Sequence, residues 1–215
     1  PVPKQSALQR TKSSSFVGLC KQNFTLILFG IILMAVFNVL AHGSQDLYPT
    51  FLRGQLHLDV HSVSLLTIVL NIGAIMGAIL FGMLSEKWGR RKSMFLGFLL
   101  ALLVSPLWIY GSNIFLMLIG VFGIGLGIQG AFGVIPVYLN EIAPSSMRAT
   151  FSGTVYQIGN LIASVTAIIQ THIALAYGGN FGIALLAAVI PFAIIAMILI
   201  QFGPEKKGAR LHTHI

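Results

Sequence analysis

Four polar side chains interrupt an apolar stretch near the start of this chain. Asn38, His42, Gln45 and Asp46 fall within the run Asn38–Thr50, and the residues leading into it, Phe24 to Leu40, carry no charge. On a helix Asn38, His42 and Asp46 stand at i, i+4 and i+8 with Gln45 alongside, which predicts one shared polar face. A histidine and an aspartate one turn apart can pair or share a proton. Imidazole titrates near pH ~6.5, so such a pair suits a site that loads protons at mildly acidic pH. Holding these groups inside a bilayer costs roughly 3 kcal/mol or more each. Two readings are open for the pair: a proton-carrying site that helps move something polar, or a structural lock within a helix bundle. Asn38 and Gln45 fit either a carboxylate or hydroxyl ligand, or interhelical hydrogen bonding.

The composition requires a membrane. Hydrophobic residues make up 56% and Asp, Glu, Lys and Arg only 8%, with a mean hydropathy of +0.88; soluble domains carry roughly 25% charged residues. No charged residue occurs from Ser93 to Asn140 or from Ala149 to Pro204. Each stretch far exceeds the ~20 residues that one crossing needs, so each folds back once. The turns are written as Tyr110-Gly111-Ser112-Asn113 and Tyr177-Gly178-Gly179-Asn180. This predicts six spans at about 23–51, 62–85, 93–110, 114–139, 149–177 and 181–203. Helices are expected, because hydrocarbon leaves backbone amides no partner outside their own segment or a closed barrel. Barrel strands would alternate every second residue, and these runs do not. Residues 1–22 read as a basic cytoplasmic linker, 23–203 as the six-helix membrane unit and 204–215 as a basic cytoplasmic tail.

The net charge of +8 sets orientation and does not mark a nucleic-acid partner. With the leading segment in the cytoplasm, that side receives every Lys and Arg except Arg53, as the positive-inside rule demands for two cytoplasmic termini. The single cysteine, Cys20, excludes an internal disulfide and offers no metal site. No serine is paired with an oriented histidine and acid, so no enzyme activity and no cofactor are expected.

Between the second and third spans stands Gly82-Met-Leu-Ser-Glu86-Lys-Trp-Gly89-Arg90-Arg91-Lys92. It resembles the loop motif G-x-x-x-D-[RK]-x-G-R-[RK] of the major facilitator superfamily, with Glu86 in the place of the usual Asp. Gly82 is expected to permit close helix approach and Gly89 a tight turn. Glu86 is expected to pair with a basic group or a helix N-terminus. Together with Arg90 and Arg91 these residues would form a gating latch; the plainer alternative is a positive-inside loop.

The run Asn38–Thr50 is similar to N-x-x-[ST]-H-x-[ST]-Q-D-x-x-x-T, the motif of the sialate:proton symporter family, which includes fungal lactate permeases. Ala41 is the one departure, replacing a hydroxyl residue. The segment Asn140 to Leu161, with Gln157 and Asn160, looks like the region between that family's tenth and eleventh helices. The resemblance implies an all-α fold of six transmembrane helices, two inverted three-helix repeats, forming the C-terminal half of a twelve-helix transporter in the plasma membrane. Its implied activity is proton-coupled symport of small monocarboxylates such as lactate, with protons as the coupling ion. Sialic acid symport remains an alternative, as does a transport-inactive six-helix fragment serving as partner or sensor. The implied partners are a carboxylate substrate, the lipid bilayer and an N-terminal six-helix half. The first and fourth spans are expected to line the cavity, with Asn38, His42, Gln45, Asp46 and Gln129 as candidates. Gln157 and Asn160 fit either substrate contact or structural bonding. Gly125, Gly127 and Gly130 spell G-x-G-x-x-G, but no strand precedes them, and close helix packing explains the glycines.

Overall fold

The computed structural model describes residues 16–204. Among them six helical stretches are long and apolar enough to cross a membrane. They are α1 (Phe24–Gln55), α2 (Val60–Trp88), α3 (Arg90–Tyr110), α4 (Ile114–Ile142), α5 (Thr150–Ala176) and α6 (Phe181–Phe202). A short helix, Phe16–Gln22, precedes α1, so the end of the expected linker is helical. The remainder of that linker, the charges it carries and nearly all of the basic tail lie outside the described residues.

Local chemistry sets the element ends. Asp59 caps α2, accepting from the His61 and Ser62 amides at 3.0 and 3.2 Å and from the Ser62 hydroxyl at 2.6 Å. Asn113 and Asn180 cap α4 and α6 through the amides of Leu116 and Ile183. Gly89, at φ 96°, makes the α2–α3 turn in a conformation that side chains disfavour.

The packing has a two-fold pattern. Helix α1 runs along α5 and α6, α4 runs along α2 and α3, and α3 meets α6. Exchanging α1 with α4, α2 with α5 and α3 with α6 maps α1–α5 onto α4–α2, α1–α6 onto α4–α3 and α3–α6 onto itself, the signature of inverted three-helix repeats. In lipid the apolar side chains gain little from leaving the solvent, so close backbone approach and dense packing hold the bundle together. At the α2–α4 crossing a Cβ on Gly77 would strike the Leu126 carbonyl, and one on Gly125 the Leu70 carbonyl. Phe37 meets Phe98 edge-on with ring centroids 4.9 Å apart. The outer faces of the helices carry exposed large apolar residues such as Ile75, Leu103, Phe115 and Phe202, which suit acyl chains.

Three spans are irregular at depth. Helix α1 loses its α-helical course at Asp46–Leu47, restarts at Tyr48 and ends as a π-helical turn over Phe51–Gln55. Pro49 explains the break, since it can return no N–H to Gln45 and its ring collides with that carbonyl. The first span therefore restarts around Pro49 and continues past the expected end. Helix α4 carries a π-helical segment over Gly125–Gln129, and α5 is interrupted at Ser164–Val165.

Candidate functional site

The His42 and Asp46 side chains do meet. His42 Nδ1 lies 3.2 Å from Asp46 Oδ2, and the two side chains are 42% and 43% exposed. The other ring nitrogen, His42 Nε2, lies 3.3 Å from Asn160 Oδ1 on α5. Each imidazole nitrogen therefore faces an oxygen acceptor, an arrangement satisfied in full when the ring carries both protons. Gly159 makes the second contact reachable: it lies against Met34 and Ala35 of α1 with no room for a Cβ. A pocket of about 480 Å³ opens beside the pair, lined by His42, Asp46, Gln157, Asn160, Leu161, Ala163 and Ser164.

The expected single polar face does not survive. Asn38 is 2% exposed, with its amide nitrogen buried and unpartnered, and neither it nor Gln45 lines the pocket. Steps of four residues advance a helix face by roughly 40° each, so Asp46 lies about 80° round from Asn38. That drift leaves Asn38 inside the bundle and Asp46 in the pocket. Gln129, half-buried in the π-helical segment of α4, is also absent from the pocket wall. The pocket is thus built from the first and fifth spans and not from the first and fourth. Gln157 and Asn160 are drawn into it, and Ser164 joins them through the break in α5. Among the described residues no group of His, Cys, Asp and Glu could hold a metal ion.

The loop motif is tied down by other partners than those expected. Arg90 Nε donates to Glu141 Oε1 at 3.0 Å, and its Nη1 donates to Ser85 Oγ at 2.6 Å. Glu86 is exposed and forms no ion pair among the described residues. Glu141, at the end of α4, reaches Arg90 in its place. Glu141 thereby ties the end of α4 to the start of α3. Gly82 has open space where a Cβ would stand, so it does not serve close helix approach, whereas Gly89 makes the turn. Arg91 donates through Nη2 to the Gln201 carbonyl at the end of α6. The motif thus links α2 and α3 to the same-side ends of α4 and α6.

Residues 24–213 match the Major Facilitator Superfamily. The chain belongs to that superfamily. A carboxylic acid transporter protein homolog of Saccharomyces cerevisiae is 34% identical over 81% of this chain, which covers 28% of that relative. The sialic acid transporter NanX of Escherichia coli is 24% identical over 78% of this chain and 41% of its own length. The inward-open xylose transporter XylE of Escherichia coli superposes with a TM-score of 0.68 at 18% identity. That match covers 85% of this chain and 48% of XylE, so the likeness is one of fold. The chain spans half or less of the length of each. It is therefore a multi-pass membrane protein whose six helices make one half of a major facilitator fold, and facilitator proteins are transporters, not enzymes.

Proposed function

We propose that this chain is the C-terminal half of a twelve-helix, proton-coupled symporter of small monocarboxylates of the lactate type. The observation that supports it is His42 held between Asp46 and Asn160 on the wall of the 480 Å³ pocket. A proton taken up by His42 places N–H groups on both sides of the ring. One engages the Asp46 carboxylate; the other engages the Asn160 oxygen or, when substrate is present, the substrate carboxylate. Asn160 and Gln157 then offer amide groups to the carboxylate and to a neighbouring hydroxyl. A proton and a monocarboxylate together carry no net charge, so the loaded site can be enclosed in a low dielectric where an unpaired charge could not. Protons are the coupling ion and no cofactor takes part. Among the described residues the pocket wall has no arginine, so an N-terminal six-helix half supplies the cation that a buried carboxylate requires. The protein lies in the plasma membrane with cytoplasmic ends.

The NanX likeness favours a second substrate, a sialic acid, whose many hydroxyls would use the same amides. Radiolabelled lactate and sialic acid uptake into proteoliposomes under an inward proton gradient separates the two. The assay uses this chain with its N-terminal half, beside this chain alone. Lactate accumulation by the paired halves is expected, and its loss in Asp46→Asn. Unchanged accumulation in Asp46→Asn would refute the coupling role, and uptake by this chain alone would refute the need for a second half.

A further inference from the structure

Gln170, on α5 beyond its break, is 1% exposed and takes no part in the pocket. Its amide nitrogen lies 2.8 Å from the Gly43 carbonyl on α1 and 3.4 Å from the Ala184 carbonyl on α6. Both neighbours are acceptors, so only the NH2 group can face them, and the amide orientation is determined. The other end, Oε1, is left buried without a partner. An apolar side chain would pack here without that unpaired oxygen, so the donor must meet a need.

Gly43 supplies the need. In a regular helix its carbonyl would accept from the Leu47 amide, but Leu47 lies in the break, at φ −97° and ψ 2°. Among the described residues the Leu47 amide makes no bond to the Gly43 carbonyl, whereas the Asp46 amide still reaches His42 O at 2.9 Å. A carbonyl freed in hydrocarbon must find a donor, and Gln170 provides it. Gly43 also has no slack: a Cβ there would stand 2.7 Å from Ala188 Cβ and 3.6 Å from Thr166 Cγ2. The backbone between His42 and Asp46 is therefore clamped by α5 and α6 where α1 changes course.

We propose that Gln170 is a positioning residue for the His42–Asp46 pair, acting through the Gly43 carbonyl that the break in α1 leaves open. It rests on the symport reading above. With the clamp in place the last regular turn of α1 keeps Asp46 within reach of His42. Without it the freed carbonyl recaptures an amide from the following residues and the turn carrying Asp46 rotates. Among the described residues the pocket's titratable groups are His42 and Asp46, and α5 brings it Gln157, Asn160 and Ser164; α6 meets the clamp itself through Ala184 and Ala188.

The test compares two activities of this chain with its N-terminal half in proteoliposomes. Lactate counterflow can run on the loaded carrier with its proton still bound, whereas accumulation under a proton gradient also needs the His42–Asp46 pair to take up and release a proton in every cycle. Gln170→Met, of equal length and without a donor, is expected to retain counterflow and to lose proton-driven accumulation by about tenfold, the worth of one hydrogen bond to a buried acceptor. Equal loss of both activities, or no loss of either, would overturn the proposal. If Gln170→Met does not fold, Gly43→Ala decides: its Cβ must push α1 off Ala188, and Ala188→Gly restores the space. Selective loss of accumulation in Gly43→Ala, rescued in the double variant, supports the clamp; no selective loss, or no rescue, overturns it. An unsubstituted transporter without proton-driven accumulation would overturn the symport reading as well, and so marks that failure apart from failure of the clamp alone.

Discussion

Gly159→Ala is a sharp probe of how α5 meets α1. The added Cβ would stand 2.6 Å from Met34 Cβ and 2.8 Å from the Ala35 nitrogen. Carbon atoms pack at about 3.5–4.0 Å, so the helices must part by roughly 1 Å. Asn160 Oδ1 already lies 3.3 Å from His42 Nε2, and a further ångström takes it beyond hydrogen-bonding range. A hydrogen bond to a charged group contributes about 1.5–3 kcal/mol, and this one, being long, belongs at the lower end. About 1.5 kcal/mol corresponds to roughly tenfold in kcat/KM. Initial rates of proton-driven lactate uptake in proteoliposomes measure it. Gly159→Ala should fall about tenfold, Asn160→Ala at least as far because its amide also meets the substrate, and the double variant no further than Asn160→Ala, because both remove the His42 contact. A folded Gly159→Ala protein with unaltered uptake would refute the reasoning. So would a double variant whose losses multiply.

Two further outcomes follow from contacts outside the pocket. The Arg90 and Glu141 side chains are 20% and 25% exposed, between a surface and a buried pair, so Glu141→Gln should remove about 1–2 kcal/mol. Arg90 keeps its Ser85 bond, and thermal melting in detergent should drop by a few degrees, while Glu86→Gln should leave it unchanged; the reverse ranking would sink the assignment. The Ser62 hydroxyl and amide hold the Asp59 carboxyl below its ordinary range. A group with a depressed folded-state pKa stabilises above its unfolded value and loses that contribution as pH falls through the folded one. Hydrogen exchange in the first turn of α2 should therefore stay slow from neutral pH down to about pH 4 and quicken below it. Ser62→Ala should weaken that dependence; an unchanged profile would show that the cap does not control the turn.

The six crossings were legible because membrane insertion sums over local residues, and the two uncharged stretches could be divided only at Tyr110–Asn113 and Tyr177–Asn180. Asparagine caps and glycine turns are equally local, and the structure uses Asn113, Gly178, Gly179 and Asn180 at those places. The His42–Asp46 contact was readable for the same reason, since one helical turn brings the two together whatever else the chain does.

Side-chain spacing on a single helix says nothing of which way the helix is turned or what crosses it. Asn38 and Asp46 are separated by the drift of the helix face, and only packing against α5 decides which of them meets the pocket. Asn160, Glu141 and Gln170 reach partners 118, 51 and 127 residues away, through crossings that glycines such as Gly159 permit and local pattern cannot reveal. The membrane class, the number of spans and the His–Asp pair follow from the residues alone, because each is settled within a turn or a single crossing. Only the packed bundle brings α5 into the pocket wall, Glu141 to Arg90 and Gln170 to the broken end of α1. Those contacts depend on the distance and rotation between helices, which the whole bundle sets together.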